Sequence, residues 1–361
     1  MPKFLLKFLF FSLAVLFSSS SLASQGVIAE IDLAGADSAV YNPVNKLMYI
    51  SYSDGIAVFE GTEMIYSIPL EGRVTVVNTK NGYVYVIKYK AASFPDAAGT
   101  LYLVQGTEVI KRVGFVGKFP FSFAVNPETG YFYVGRNSCP VCLYIPPYTR
   151  FLQTVKDDEL SVKVPVGDGA WGMGVEPTTG YLYVANYFDR SISIIQETTN
   201  IGTIMLSSNP ARLAVNPNNG RVYVPVWDRI AVIEGKELVS TMMSMHYTVY
   251  DGTDIAVEPN SGYIYAVGAT GVDVYDEIAA IGYIQLSDRV YRLINNPNNG
   301  LIYALMFDNL AVIQSTNIMT EIPVGRITQD YYNCLAVDPE RGLVYVTSQG
   351  DNKVTIVGEI E

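Results

Sequence analysis

The chain has 361 residues, of which 49% are hydrophobic and only 16% charged, with 27 Tyr, 30 Gly, 3 Cys and a formal net charge of −11. That acidic balance excludes a nucleic-acid partner, whose phosphates demand a basic surface, and so few cysteines exclude a disulfide-built scaffold. The Tyr- and Gly-rich, charge-poor mixture favours strands and turns over helices.

The first residues read as a secretory signal peptide. Lys3 and Lys7 supply a short positive region, Phe8 to Phe17 is an apolar run, and Ser21-Leu22-Ala23 offers small residues at a cleavage site. The apolar run is shorter than the roughly 20 residues a membrane-spanning helix needs, and no later stretch is long and apolar enough to span. Residues 1–23 are therefore expected to be a leader and 24–361 a single domain. The protein is expected outside the cytoplasm, secreted or periplasmic, or associated with the cell surface.

After the leader, one unit recurs. It reads AVNPETGYFYV (124–134), GVEPTTGYLYV (174–184), AVNPNNGRVYV (214–224), AVEPNSGYIYA (256–266), INNPNNGLIYA (294–304) and AVDPERGLVYV (336–346). Two looser copies, VYNPVNKLMYI (40–50) and VVNTKNGYVYV (76–86), precede them. The shared tyrosines, Tyr49, Tyr85, Tyr133, Tyr183, Tyr223, Tyr265, Tyr303 and Tyr345, are spaced by 36, 48, 50, 40, 42, 38 and 42 residues. Four strand-like runs per unit at that period is the spacing of β-propeller blades.

Each unit parses as four strands, A to D. Strand A ends in Asn, Asp or Glu before Pro, and Gly follows three residues later. Pro suits the first corner of a type I turn and Gly the left-handed position after it, which closes a hairpin. Strand B then alternates with period two through its tyrosine. Strand C follows, as in GIAVFE (55–60) and SISIIQ (191–196), and strand D after it, as in MIYSIP (64–69) and IGYIQL (281–286). Lys46 and Thr79 replace the turn Gly and Pro in the two looser copies.

The chain ends set the blade count. The last unit stops after strand C, and VIAEID (27–32) at the start is an orphan strand D. The expected fold is all-β, an eight-bladed propeller of four-stranded blades in which the N-terminal strand completes the C-terminal blade. A seven-bladed ring with one displaced unit is the alternative. The core Pro-x-x-Gly-x-x-Tyr-Val, continued as Tyr183-Val184-Ala185-Asn186 and Tyr345-Val346-Thr347-Ser348, resembles the YVTN-repeat (YncE-like) β-propeller family. The resemblance implies an exported ring with varied binding, surface and adhesion roles. Its relatives are mostly seven-bladed, from which the count here departs.

In this topology the D-to-A and B-to-C connections share one face and the short, uniform A-to-B turns lie on the other. The first face is chemically varied, so a ligand is expected there. Six residues before the turn Pro stand Asp37, Arg73, Phe121, Trp171, Tyr291 and Asn333, and five before it Arg212, Asp254 and Arg292. Trp227 belongs to a B-to-C loop on the same face. Arg and aromatic residues are frequent binding anchors, and here they point to a protein, peptide or glycan ligand. The plainer alternative is that they plug the ring's centre.

No catalytic set emerges. His246 is the sole histidine and no GxSxG elbow exists. Cys139-Pro-Val-Cys142 lacks the following His of a haem site and the further ligands of a zinc site, leaving a local disulfide or free thiols as the expectation. Neither a metal nor a cofactor is expected. The function expected is a binding or scaffold protein. The alternatives are a propeller hydrolase or lactonase using carboxylates such as Asp37 and Asp254, and a cell-surface structural or adhesion component.

Overall fold

The computed structural model describes residues 24–89, 98–118, 120–136, 150–156, 159–244, 254–327 and 333–360. They form eight four-stranded antiparallel sheets, an eight-bladed β-propeller. The expected strands C and D match to within a few residues: Gly55–Glu60 and Glu63–Ile68 in blade 1, Ser191–Gln196 and Thr199–Met205 in blade 4. The signal-peptide segment, Cys139, Cys142 and His246 lie outside the described residues.

Closure occurs inside a blade. Strand Ser24–Asp32 pairs antiparallel with Lys353–Ile360, and that sheet continues through Leu343–Ser348 to Leu335–Asp338. Blade 8 thus takes strand D from the start of the chain and strands A to C from its end. No open seam is left between the first and last blades for another chain to pair with.

Among the described residues the hydrophobic core is not one mass but eight clusters, each filling the space between neighbouring sheets. One joins Val272 and Val274 of blade 6 to Ile302 and Ala304 of blade 7. Another joins Ala336 and Tyr345 of blade 8 to Met48 and Ile50 of blade 1. Strands B and C, buried on both faces, therefore read as continuous apolar runs such as Gly55–Phe59 and Leu182–Asn186.

Two polar devices repeat around the ring. The residue before the turn Pro is buried in every blade: Asn42, Asn78, Asn126, Glu176, Asn216, Glu258, Asn296 and Asp338. Its side chain accepts turn amides; Glu176 takes those of Thr178 and Thr179, both at 2.7 Å. In blades 1 and 3 it also reaches the next blade, as Asn42 Nδ2 donates to the Gly82 carbonyl at 2.8 Å and Asn126 Nδ2 to that of Gly180 at 2.9 Å. The repeat tyrosines form the second device. Tyr49 donates its phenol proton to the Gly106 carbonyl, Tyr133 to that of Glu197 and Tyr183 to that of Gly235, each at 2.9 Å, so each phenol caps the C-to-D turn of the following blade. A buried hydroxyl needs such a partner.

Lys46 stands where other blades have the turn Gly, and it takes the left-handed conformation itself, with φ of 62° against 75° at Gly130 and 72° at Gly220. The hairpin forms regardless, held by Asn42 Oδ1 on the Val44 amide and Asn45 Oδ1 on the Leu47 amide.

Candidate functional site

The innermost strands of the blades line an axial channel. Near the D-to-A end lies a cavity of about 300 Å³, bordered by Thr75, Ser122, Trp171, Gly172, Arg212, Asp254, Arg292 and Asn333 among others. Five of the residues expected at a site, Trp171, Arg212, Asp254, Arg292 and Asn333, are brought together there. The column five residues before the turn Pro supplies the ring, through Ser122, Gly172, Arg212, Asp254 and Arg292.

Local backbone irregularity decides which side chains enter. Strand A of blade 4 pairs Ala170 with Asn186 and Gly172 with Ala185, so Trp171 is the extra residue of a bulge. Blade 2 skips likewise between Val74 and Val76, isolating Thr75. A bulge re-aims the side chain it inserts, and both Thr75 and Trp171 border the cavity. Gly172 lets blade 4 approach blade 5: a Cβ there would stand 2.9 Å from the Cα of Arg212 and 3.1 Å from the Ala211 carbonyl.

The cavity is charged. Asp254 is buried, its Oδ2 accepting from the Leu293 amide at 2.9 Å and lying 3.5 Å from Arg292 Nε. Burial pushes its carboxyl above the ordinary carboxylate range, opposed by the Arg212 guanidinium and the Leu293 and Ile255 amides. Two guanidiniums against one carboxylate leave the lining net positive whether or not Asp254 is protonated. Asn333 of blade 8 reaches past blade 1 and donates to the carbonyls of Val74 at 3.2 Å and Thr75 at 3.0 Å. It narrows the channel on that side.

The other expected residues lie elsewhere. Arg73 Nε and Asp37 Oδ2 form a 2.7 Å ion pair joining blades 1 and 2, outside the cavity lining. Tyr291 lies outside the lining, with the Arg289 guanidinium 5.3 Å from its ring centre. Trp227 is 54% exposed and sits at a φ of 35° in its loop, apart from the cavity. The Phe121 side chain lies outside the described residues, although its backbone belongs to strand Pro120–Val125. Cys334 is buried in the core between blades 7 and 8.

Beside the cavity the loops of blade 4 meet in a cluster; the sequence places Trp171, Tyr187 and Phe188 on this face, but not Asp168. Trp171 packs on Tyr187 with ring centres 5.5 Å apart, and Tyr187 meets Phe188 edge-on at 5.2 Å. Next to them Asp168 is 3% exposed, and its amide donates to Asp189 Oδ2 at 2.9 Å. Arg150 Nη2 pairs with the other oxygen of Asp189 at 3.5 Å. Burial, and secondarily the Asp189 charge, raises the Asp168 carboxyl to about 6. The only hint in the sequence is Gly167-Asp168-Gly169, two residues before Trp171.

The chain is similar in fold to hydrazine synthase. The match, to a chain of Kuenenia stuttgartiensis hydrazine synthase, covers 92% of this chain and 98% of that one with a TM-score of 0.57. Identity is 13%, so the likeness concerns the propeller and not its chemistry. No family model matches the sequence, and no curated protein does. Among the described residues no helix is long and apolar enough to cross a membrane, and no group of three or more His, Cys, Asp or Glu is placed to hold a metal ion.

Proposed function

We propose that this chain is an exported binding or scaffold protein of the YVTN-repeat type. It captures its partner, a protein, peptide or glycan, through an anionic group seated on Arg212 and Arg292. The propeller is commonly a binding or scaffold module. The observation that carries the specific reading is the net-positive concave lining on a chain of net charge −11. Such a site collects carboxylates by local field against the overall repulsion of the molecule. Trp171 supplies an apolar wall beside the two cations, the combination found at binding hot spots. Asp37 and Asp254, the carboxylates a hydrolytic activity would use, are each engaged by an arginine. That favours binding over hydrolysis.

The test is calorimetric titration with butyrate, N-acetylglutamate and galacturonate. At least one is expected to bind, and Arg292→Gln to weaken it tenfold or more while Arg292→Lys retains part of the affinity. Silence from all three, or binding indifferent to Arg292, would overturn the reading. Export is tested by cell fractionation, which should recover a chain shortened at about Ala23 outside the cytoplasm.

A further inference from the structure

The channel changes character along its axis. Beyond the arginine ring, toward the A-to-B turns, its lining becomes apolar: Val76, Phe123, Val175, Val215 and Val257 surround a compartment of about 580 Å³. A second lobe of about 500 Å³ adjoins it and shares Val76, Val77, Thr79 and Asn295. Turn prolines, among them Pro127, Pro177 and Pro259, form the rim. Each compartment is of small-molecule size. They also meet the charged cavity. Phe123 and Met173 border both it and the larger lobe, while Thr75, Arg292 and Asn333 border both it and the smaller.

We propose that the channel binds an amphiphilic carboxylate of the fatty-acid class, its head on Arg292 and Arg212 and its hydrocarbon chain in the valine-lined funnel. This rests on the reading of the arginine ring as an anion site and gives that ring a small amphiphile as ligand in place of a macromolecular partner's anionic group. Three features select this occupant. Charge complementarity places the carboxylate at the ring. Length suits the tail, because from Arg292 to Asn295 the innermost strand of blade 7 rises three residues, about 10 Å at roughly 3.4 Å each, and the turn at Pro297 continues the wall beyond it. Apolar concave surface left in water is unfavourable by about 25 cal/mol per Å², which a hydrocarbon chain relieves and a sugar does not. A short acid leaves the funnel wet; a neutral hydrocarbon does nothing for the net positive charge of the ring.

The experiment compares butyrate, octanoate, laurate and dodecanol below their aggregation concentrations, by calorimetry on the full-length protein. Affinity should rise with chain length, approaching roughly fourfold per buried methylene. Laurate should exceed dodecanol at least tenfold, and Arg292→Gln should erase that difference. Val215→Thr, nearly isosteric, should weaken laurate severalfold and leave butyrate unchanged. Butyrate binding that needs Arg292 but gains nothing with length overturns the amphiphile and spares the anion site. Laurate and dodecanol binding alike, indifferent to Arg292, overturns the carboxylate head. Silence from every acid overturns both.

Discussion

Tyr345 of the last blade donates its phenol proton to the carbonyl of Gly61 in the first, at 2.5 Å. The pair is the closing member of the tyrosine series, and it ties the two ends of the repeat array at the one place where sequence neighbours cannot. Tyr345 is fully buried. Tyr345→Phe keeps the ring and removes the bond to Gly61, so it should cost about 1 kcal/mol. Tyr183→Phe removes the equivalent bond between blades 4 and 5 and should cost a similar amount. Urea unfolding of both variants measures this; equal stability to wild type would show that water replaces the phenols.

Removing Ser24–Asp32 should be far worse. That strand makes a full ladder with Lys353–Ile360, and its loss bares an edge whose outer face carries Val354 and Ile356 in the core. The shortened protein is expected to aggregate. A synthetic peptide of residues 24–32, added during refolding, should restore a monomeric species on size exclusion.

Gly172→Ala tests the approach of blade 4 to blade 5. The added methyl would lie 2.9 Å from the Cα of Arg212, against backbone that cannot turn aside. A cost of about 1–3 kcal/mol is expected. Because the strain falls on Arg212, butyrate affinity should drop with it, which distinguishes this variant from a remote destabilising one such as Tyr183→Phe.

Asp168 makes stability depend on pH in the unusual direction. Its carboxyl sits at about 6 in the folded protein against an ordinary 3.8. Between those values the folded state holds a proton that the unfolded chain has released, so this group's contribution to stability falls as pH rises through the window. Asp168→Asn should remove that slope and raise stability at pH 7 by on the order of 1–2 kcal/mol. Thermal unfolding at several pH values checks it; an unchanged slope assigns the dependence to another group.

The ring was legible because every blade meets the same constraints in the same order. Pro (Thr79 in blade 2) and a left-handed residue close the A-to-B turns, a buried polar residue sits at each of them, and in blades 1, 3, 4 and 8 a tyrosine caps the next blade. Even the departures behaved: Lys46 adopts the glycine conformation. The orphan strand at Val27 found its partner because strand count alone required one. The site was legible only in part. Arg212, Asp254 and Arg292 converge because they share a column of the repeat on the innermost strands. Trp171 enters through a bulge, which adds a residue to pairing and leaves no mark in composition. Tyr291 shares its column and stays out, while Asn333, also of that column and without a bulge, borders the cavity. The apolar funnel was present in the repeats as the valines at 125, 175, 215 and 257. They look like ordinary core positions until eight strands are arranged about an open axis.

The register of the closing ladder has a mechanical side. Ser24 lies opposite Ile360, so the two ends of the described chain emerge together at one end of the same strand pair. Tension applied through them would load the hydrogen bonds one pair at a time, as a zipper is drawn, and not all together in shear. The ring would yield at low force to a pull on its ends, with blade 8 unravelling first.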